Sequence, residues 1–342
     1  MRIVVAMSGG VDSSVAAALL VASGHEVVGV HMRLHAGGGG AGRCCGDRDA
    51  LDARAVSERL DIPFYVIDLE QTFHDTVITE LVDTYAGGGT PNPCVTCNAV
   101  IKFDVLVRHA RALGADRLAT GHYARLDADG ALRVAADARK DQSYFLHPLG
   151  AEARAMAMFP LGELSKDEVR AHAKRLGVAV ADKPESQEIC FVPDGDHAAL
   201  VADHRPDLDG AGEIVDEAGR VVGHHDAYWR FTPGQRRGLG VAMGSPAYVL
   251  RVEPDSKRVV VAGLDRLWAD ALVVRALRWH AEPVAGAPIE VRIRHRGARV
   301  PCRVERGEPA AVILEQPVWA PARGQSAVFY QGDRVVAGGY LT

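Results

Sequence analysis

The sequence predicts an α/β protein in which an N-terminal doubly wound parallel sheet is followed by a small β-rich linking domain and a C-terminal β-barrel. In about the first 200 residues, short apolar runs alternate with helical stretches, which is the pattern of βαβ units. From about Asp207 onward Gly, Val, Arg and Pro dominate and turn signals recur at short intervals, which favours β structure. The predicted domains are residues 1–205, 206–270 and 271–342 of this 342-residue chain.

Each predicted element has a local cause. Apolar runs indicate buried parallel strands, because such strands are covered on both faces; they lie at 3–6, 27–32, 64–68 and 117–120. Helical stretches separate these runs, at about 12–23, 47–60, 72–85 and 98–113. Another helix is predicted to begin after Ser165, which forms a capping box with Glu168, and to end before Gly177. Segments 212–215 and 258–261 are β-prone.

Composition excludes several classes of protein. With 48% hydrophobic and 24% charged residues, the chain is ordinary for a globular protein. Its net charge of −5 argues against a basic nucleic-acid binder, although a local basic patch is enough to contact phosphates. Only Arg2 precedes the first apolar run, so no signal peptide is predicted, and no run reaches the roughly 20 apolar residues of a membrane helix. We expect a cytoplasmic protein.

The turn after the first predicted strand is the most informative motif. It reads M-S-G-G-V-D-S-S over residues 7–14 and leads into a helix. Glycines let backbone N–H groups approach a phosphate, a helix N-terminus adds a positive dipole end, and Ser8, Ser13 and Ser14 add hydroxyl donors. The turn is neither a GxxxxGK[ST] loop nor a GxGxxG loop. It predicts an anion site, and a Gly-Ser turn without a ligand is the alternative.

This turn resembles the SGGxDS loop of the PP-loop ATP pyrophosphatases, which cleave ATP between its α and β phosphates and adenylylate an oxygen. The resemblance implies that the loop holds pyrophosphate and that Asp12 is linked to Mg²⁺. In doubly wound sheets, ligands bind at the carboxyl ends of the strands, which is where this turn lies.

Six cysteines are few for this length, and in a reducing compartment they favour catalytic, redox or metal roles over structural disulfides. Cys97 stands at the expected start of the helix over 98–113, where the helix dipole favours a thiolate. Cys190 lies in the segment S-Q-E-I-C-F, and Cys302 is typical of a buried small hydrophobe. Cys44 and Cys45 are adjacent, which suits neither a chelate nor an ordinary disulfide.

Several motifs occur in one order along essentially the whole chain. They are SGGVDSS, Cys44-Cys45, TPNPCVTCNAVIKF, ATGHYAR, KDQSYFL and SQEICF. Together they resemble the bacterial tRNA-specific 2-thiouridylases. The resemblance implies that ATP adenylylates O2 of the wobble uridine in a tRNA and that a persulfide sulfur then replaces this oxygen. The products would be 2-thiouridine, AMP and pyrophosphate.

The resemblance also implies residue roles. The expected ATP contacts are Ala6, Met7, Ser8, Gly9, Gly10, Val11, Asp12, Ser13, Met32 and Gly121. Cys190 would carry the persulfide, and Cys97 would be the second catalytic cysteine, which can form a disulfide with Cys190. The expected contacts to the target base and tRNA are Asn92, Pro93, Cys94, Lys140, Asp141, Gln142, Arg294 and His295. The implied partners are the tRNAs for Lys, Glu and Gln, and a cysteine desulfurase or sulfur-relay protein as donor.

Cys94 departs from the family pattern, because some members have Asp at this position. Together Cys94, Cys97 and Cys190 supply three thiols. Three thiols can hold an iron–sulfur cluster with one open iron, or a zinc ion. Persulfide chemistry is the favoured hypothesis and a cluster is the alternative.

Other features allow two interpretations each. Alternation over 291–299 predicts Arg292 and Arg294 on one strand face, which would contact phosphates or only solvent. Arg230, Arg236 and Arg237 stand near Trp229 and Phe231, whose rings would flank RNA or fill the core.

Polar residues and glycine stretches of the N-terminal part are also open to interpretation. His122 would contact phosphate or be structural, and the Asn92 and Gln142 amides would read a pyrimidine edge. The glycines at 37–40 and 87–89 form surface loops or mobile covers of the active site.

Two competing hypotheses remain from the sequence. The first is an ATP pyrophosphatase with another acceptor, such as an amidotransferase-type synthetase or argininosuccinate synthetase, which would not need the cysteine pair. The second is a nucleotide-responsive RNA-binding protein without catalysis, in which replacing Cys97 or Cys190 would be harmless.

Overall fold

The computed structural model describes residues 1–35, 47–177, 189–192 and 195–342. The described residues form two compact units. Unit 1 comprises Met1–Val77, Cys94–Phe191 and Asp333–Val336, and unit 2 comprises Ile78–Pro93, Val192–Gly332 and Ala337–Thr342. In the described part of the chain, no helix is long and apolar enough to cross a membrane.

Unit 1 contains a parallel five-stranded sheet with the order β3-β2-β1-β4-β7. The strands of this unit are β1 (Arg2–Ala6), β2 (Glu26–Arg33), β3 (Phe64–Asp68), β4 (Arg117–Thr120), β5 (Ala124–Leu126), β6 (Leu132–Val134) and β7 (Ala157–Met158). The four predicted strands are confirmed as β1 to β4. Because the chain leaves β1 for β2 on one side and returns to β4 on the other, the strand order reverses at β1. The carboxyl ends of β1 and β4 therefore form the switch point at which such sheets bind ligands.

The helices follow the predicted stretches, with differences at their ends. They are α1 (Val11–Ala22), α2 (Asp47–Arg59), α3 (Glu70–Phe73), α4 (Thr79–Ala86), α5 (Pro93–Thr96), α6 (Leu106–Ala112), α7 (Ala151–Met156), α8 (Lys166–Arg175) and α9 (His197–His204). Two π-helical segments, His74–Ile78 and Cys97–Val105, join α3 to α4 and α5 to α6. The prediction that a helix starts at Asn98 is wrong, because the helical run begins at Pro93, whose fixed φ and missing N–H suit the first position of a helix.

Two sequence features of unit 1 have a clear structural basis: the apolar runs fill its core, and the predicted cap is present at the start of α8. Ile3 and Val5 of β1 are fully buried, and the alanine-rich α1 packs against the same cluster. The predicted capping box is present, since Ser165 Oγ accepts from the Glu168 backbone N–H and the Glu168 carboxylate accepts from the Ser165 N–H. After α8, Gly177 adopts φ +59°, a left-handed conformation that glycine adopts at low cost.

Unit 2 contains a four-stranded sheet and a closed barrel. The sheet has the order β10-β11-β8-β9. Its strands are β8 (Gly212–Asp216), β9 (Val221–His225), β10 (Tyr248–Glu253) and β11 (Arg258–Ala262). The two β-prone segments of the sequence are therefore confirmed as β8 and β11.

The predicted C-terminal β-barrel is confirmed, and the structure shows that it is closed and antiparallel. Its six strands are β12 (Trp268–Trp279), β13 (Ile289–Arg292), β14 (Val300–Glu305), β15 (Ala310–Trp319), β16 (Ser326–Gln331) and β17 (Arg334–Leu341). The long β12 pairs with β15 through its first half and with β17 through its second half, which closes the barrel. Along β15 the residues Ala310–Leu314 alternate between buried and exposed, as expected for strands with one face in the core.

Candidate active site

The predicted anion-binding turn leaves the carboxyl end of β1 in a tight, hydrogen-bonded form. The Ser8 backbone N–H donates to Ser13 Oγ at 3.1 Å, and the Ser8 and Ser13 hydroxyls lie 3.3 Å apart. Ser14 Oγ donates to the Gly10 carbonyl at 2.8 Å. Gly9 adopts φ +70°, and a Cβ there would lie 2.3 Å from the Asp49 carbonyl oxygen, so glycine is required both by conformation and by space.

A second loop meets this turn from β4. A Cβ on Gly121 would lie 2.7 Å from the Ser13 nitrogen and 2.9 Å from the Asp12 carbonyl carbon, so its backbone packs directly on the first turn of α1. Ala6, Met7 and Met32 are buried in the sheet beneath, and the Met7 carbonyl lies 2.9 Å from His31 Nδ1. The structure thus assembles the residues expected to contact ATP at one edge of one sheet.

Asp12 is the only charged residue of the turn, and its carboxylate is paired. Lys166 Nζ donates to both of its carboxylate oxygens, at 2.7 and 2.9 Å, and the Tyr123 hydroxyl donates to Oδ1 at 2.8 Å. The Lys166 side chain is only 7% exposed, whereas that of Asp12 is 32% exposed. Neither Lys166 nor Tyr123 is predicted by the sequence to lie at this turn. The capping box located the start of α8, but nothing in the sequence indicated where the Lys166 ammonium points.

The residues around Asp12 fit one way of holding Mg²⁺. This ion is usually bound by one or two carboxylates together with the phosphates of a substrate. The partly exposed Asp12 carboxylate can serve in that role. Among the described residues, no group of three or more His, Cys, Asp or Glu side chains could hold a metal ion.

Cys97 lies inside a helix, not at its start. It is the first residue of the π-helical segment that continues α5, and burial raises the pKa of its thiol above the ordinary value of 9.0. The expectation that a helix N-terminus favours its thiolate is therefore wrong. The positive charge of Lys102 acts in the opposite direction and lowers the pKa in part.

The π-helix explains why Lys102 acts on Cys97. In a π-helix the backbone bonds join residues five apart, and here the Leu106 N–H donates to the Ile101 carbonyl. Cys97 and Lys102 are also five apart, the same spacing as two residues joined by such a bond. Lys102 Nζ is held by Asn98 Oδ1 at 2.9 Å.

The two candidate catalytic cysteines share a structural support in unit 1. The short helix α3 contacts the π-helical segment of Cys97. The ring of Phe73, at the end of α3, packs edge to face against the ring of Phe191, with centroids 5.1 Å apart. Phe191 directly follows Cys190, so the same helix contacts the segments of both cysteines.

The cysteines differ in how far they are exposed to solvent. Cys97 and Cys190 are half-buried, Cys97 is a free thiol, and Cys94 is exposed. Cys302 is half-buried on β14, and burial raises its thiol pKa to about 12, so it is unreactive at neutral pH. Cys44, Cys45 and the glycines at 37–40 lie outside the described residues.

His122 is a buried structural residue in this setting. Its Nδ1 lies 2.7 Å from Thr120 Oγ1, and its ring lies near those of Phe103 and Phe159. Burial, helped by the positive charge of Lys102, holds its pKa well below 6.5. The imidazole is therefore neutral at pH 7, which favours the structural interpretation over a charged contact to phosphate.

The residues at 140–142 are mostly engaged within the protein. Asp141 is buried, and its carboxylate accepts from the backbone N–H groups of Ala135 and Ser143 and from the Ser143 hydroxyl at 3.0 Å. Gln142 Oε1 accepts from the Tyr123 N–H at 2.9 Å, which orients its amide NH₂ group as a donor. Asp141 therefore shapes this loop, whereas the Gln142 amide is placed to donate.

In unit 2, the segment before α5 is held by hydrogen bonds to its backbone groups. The Gln325 amide donates to the carbonyls of Thr90 and Pro91, and the Thr90 N–H donates to the Arg323 carbonyl at 2.7 Å. These bonds fix the approach to Asn92 and Pro93. The preceding glycines 87–89 are also hydrogen-bonded to α4, which favours an ordered turn over a mobile cover.

Arg292 and Arg294 of the barrel do not lie on one strand face, as the sequence predicted they would. Strand β13 ends at Arg292, and Arg294 lies in the following turn, so the prediction of one shared strand face is wrong. The Arg294 guanidinium donates to the Ala320 carbonyl at 2.5 Å and lies over the Trp319 ring. His295 follows it in the same turn, half-buried.

The aromatic residues near Arg230 belong to the core of unit 2. Trp229 and Phe231 are buried, and Trp229 Nε1 donates to the Ala198 carbonyl at 3.3 Å. By contrast, Arg230, Arg236 and Arg237 are exposed. The core interpretation therefore holds for the two rings, and the charges face solvent.

A parallel sheet with a glycine turn and a helix N-terminus at its switch point defines a nucleotide-binding α/β protein. Family models described as tRNA methyl transferase HUP domain, tRNA methyl transferase PRC-barrel domain and aminomethyltransferase beta-barrel domain match residues 1–194, 199–263 and 269–341. The tRNA-specific 2-thiouridylase MnmA of Rhodospirillum centenum is 48% identical over 99% of this chain and 91% of its own length. That of Geotalea uraniireducens is 47% identical over 99% of this chain and 94% of its own. The chain belongs to the tRNA-specific 2-thiouridylase family, an ATP-binding PP-loop family.

Proposed function

We propose that this protein is a tRNA-uridine 2-sulfurtransferase that converts the wobble uridine of tRNA to 2-thiouridine at the expense of ATP. The observation that carries the proposal is the close packing of Gly121 on the turn of Asp12 and Ser13, at the sheet edge of the same unit that holds Cys97 and Cys190. An ATP site and two cysteines in one unit are what adenylylation followed by sulfur transfer requires.

The first step activates the uridine. The residues proposed to contact ATP are Ala6–Ser13, Met32 and Gly121. Their backbone N–H groups and hydroxyls would bind the phosphates, and Mg²⁺ at Asp12 would offset phosphate charge. O2 of the uridine attacks the α-phosphorus, the bond from the α-phosphorus to its bridging oxygen breaks, and pyrophosphate leaves. The uridine C2 then carries AMP, a good leaving group.

The second step replaces the oxygen by sulfur. The terminal sulfur of a Cys190 persulfide attacks C2, and AMP leaves with the former O2. The Cys97 thiolate then attacks Cys190 Sγ, the S–S bond to the transferred sulfur breaks, and a Cys97–Cys190 disulfide forms. A thiol reductant restores both cysteines. The raised pKa of Cys97 makes Lys102 important in this step, because it is the charge that favours the thiolate.

We assign the tRNA contacts to two groups of residues. The target base would be met by Asn92, Pro93, Cys94, Lys140, Asp141 and Gln142, and the tRNA backbone by Arg294 and His295. Among these, the Gln142 amide is the group oriented to donate to a flipped uridine. The substrates would be the tRNAs for Lys, Glu and Gln, and sulfur would come from a cysteine desulfurase or a relay protein in the cytoplasm.

We propose three domains with boundaries at 1–205, 206–270 and 271–342. The first would bind ATP and carry the cysteines, the second would link, and the barrel would contact tRNA. The barrel offers arginines stacked on aromatic rings, as with Arg294 on Trp319 and Arg299 on Tyr330, which pre-orients guanidinium groups for phosphates.

We propose persulfide chemistry rather than an iron–sulfur cluster on Cys94, Cys97 and Cys190. The support is that these three described thiols do not come together as a metal-binding group. Anaerobic purification followed by iron and sulfide analysis tests this choice. Full activity without iron is the expected result, and stoichiometric iron that activity requires would reverse it.

The function itself is tested with ATP, Mg²⁺, a cysteine desulfurase with cysteine, and unmodified tRNA, followed by mass spectrometry of the nucleosides. We expect 2-thiouridine from the wild type, none from Cys97→Ser or Cys190→Ser, and wild-type yield from the control Cys302→Ser. Folded wild-type protein that forms no 2-thiouridine would refute the proposal. Full yield from both serine variants would favour a protein that binds RNA without catalysis.

A further inference from the structure

The ammonium of Lys102, which acts on the candidate catalytic Cys97, is held by an uncharged group. Lys102 Nζ donates to Asn98 Oδ1 at 2.9 Å, and Asn98 directly follows Cys97 in the chain. In the described part of the chain, no carboxylate forms an ion pair with Lys102. By contrast, the Lys166 ammonium is paired with the Asp12 carboxylate at 2.7 Å. The group that holds Lys102 therefore does not cancel its charge.

A second hydrogen bond fixes Asn98 from another element. Asn98 Nδ2 donates to the Phe145 carbonyl at 3.2 Å, and Asn98 is only 3% exposed. Phe145 belongs to the short helical turn Ser143–Leu146, which packs against the π-helical segment of Cys97. The Asn98 amide thus spans two partners, because its NH₂ group binds a backbone carbonyl and its oxygen binds the Lys102 ammonium.

An amide can make both of these bonds without adding charge, whereas a carboxylate cannot. An ionised Asp at position 98 would have no hydrogen to donate to the Phe145 carbonyl, and it would cancel the charge of the ammonium. Lys102 is half-buried, and an ammonium removed from water is costly without a counter-charge. A thiolate on Cys97 would provide that charge. Lys102 therefore favours the ionised form of Cys97, against the effect of burial, which raises the pKa of the thiol.

The other ionisable groups on the elements around this helical segment are paired or neutral, or do not act measurably on Cys97. Glu70 of α3 and Arg108 of α6 each form an ion pair. The low pKa of His122 leaves its imidazole neutral. The remaining titratable groups on the contacting elements are Tyr144, His109 and Arg111. Apart from burial, the charge that acts on Cys97 is that of Lys102.

We propose that Asn98 is a positioning residue for sulfur transfer, whose neutral amide holds the Lys102 ammonium near Cys97 without cancelling its charge. The inference rests on the proposed function in so far as Cys97 must react as a thiolate. It adds that the reactivity of Cys97 depends on Asn98, and that this dependence acts through Lys102.

Alkylation of Cys97 by iodoacetamide as a function of pH tests the proposal on the full-length protein, without ATP, tRNA or a sulfur donor. Peptide mass spectrometry separates labelling of Cys97 from that of Cys94. In Asn98→Ala, we expect alkylation of Cys97 at neutral pH to be about 3- to 10-fold slower than in the wild type, because the ammonium is no longer held and the thiolate is less populated. Arg108→Met removes an exposed cation from the same helical run and should leave the rate unchanged, as the matched control. An unchanged rate in Asn98→Ala would overturn the proposal.

A double-mutant comparison separates positioning of Lys102 from a purely structural role of Asn98. If Asn98 acts through Lys102, adding Asn98→Ala to Lys102→Met leaves the alkylation profile of Lys102→Met unchanged. If Asn98 only supports the Phe145 carbonyl, the same addition changes the profile as much as it does in the wild-type background, and the proposal is wrong. Should Asn98→Ala fail to fold, Asn98→Ser is compared in the same two backgrounds, with the same two outcomes. Wild-type protein that forms no 2-thiouridine but shows the expected alkylation pattern would refute the proposed function and leave this inference standing.

Discussion

Adding one methyl group at Gly121 should disable the nucleotide site. A Cβ in Gly121→Ala would stand 2.7 Å from the Ser13 nitrogen and 2.9 Å from the Asp12 carbonyl carbon. Ordinary contacts lie at about 3.5–4.0 Å, so the two backbones must separate by about 1 Å. Both atoms belong to the first turn of α1, and neither is the end of a flexible side chain. The turn over residues 7–14 must therefore move.

The cost can be estimated from this overlap. Forcing an extra methyl group into a packed site costs typically about 1–3 kcal/mol. If the ATP-bound form retains the tight packing, that energy appears in ATP affinity, at a factor of ten for each 1.4 kcal/mol or so. We expect the Kd for ATP to rise about 10-fold or more, and the midpoint of thermal unfolding to fall.

Calorimetry with ATP and thermal unfolding followed by circular dichroism measure these effects. Gly10→Ala is the matched stability control, because a Cβ there meets only Ser8 Oγ, at an ordinary distance of 3.4 Å. Its unfolding midpoint should stay close to that of the wild type. If Gly121→Ala binds ATP and unfolds like the wild type, the proposed approach of the two loops is wrong.

Four further substitutions test other parts of the structure. Ser165→Ala removes the cap of α8 and should lower the free energy of unfolding in urea by about 1 kcal/mol; an unchanged midpoint would contradict the capping box. Below pH 6.5, the ordinary pKa of histidine, unfolded His122 binds a proton while the folded residue does not. The free energy of unfolding of the wild type should therefore decrease as the pH is lowered below 6.5, by up to about 1.4 kcal/mol per pH unit. This acid dependence should flatten in His122→Asn. Lys102→Met should raise the pKa of Cys97, so that alkylation by iodoacetamide needs a higher pH; an unshifted profile would exclude the influence of Lys102. Trp229→Ala should cost about 3–5 kcal/mol in urea unfolding if the ring is core, whereas an RNA-stacking ring would lose tRNA affinity with little loss of stability.

Much of the fold was predictable because its signals are local. Buried parallel strands are continuous apolar runs, so the runs at 3–6, 27–32, 64–68 and 117–120 correspond to β1 to β4. The ends of helices were less predictable. Pro93 lies before the predicted helix at 98–113, yet it opens α5. The π-helical segment at His74–Ile78 leaves no pattern distinct from that of an ordinary helix.

In the candidate site, too, local features were predicted correctly and features that depend on tertiary contacts were not. The turn at Ser8–Ser13 was identified by consecutive residues whose chemistry suits phosphate. The behaviour of Cys97 was predicted wrongly, because its pKa depends on burial by other segments and not on its position in one helix. The strand face of Arg292 and Arg294 was also wrong, because β13 ends at the first of them and the second turns to the Trp319 ring.

The sequence by itself determined the class of fold, the family and the turn that is predicted to bind phosphate, because each depends on consecutive residues or on motifs in a fixed order. Only the tertiary structure decided which charges meet and which thiols are buried. Asp12 and Lys166 stand 154 residues apart, and Gly121 approaches Ser13 across the sheet. Such contacts depend on the strand order that brings β1 and β4 side by side, and burial follows from the packing of whole elements. No local pattern encodes either of these.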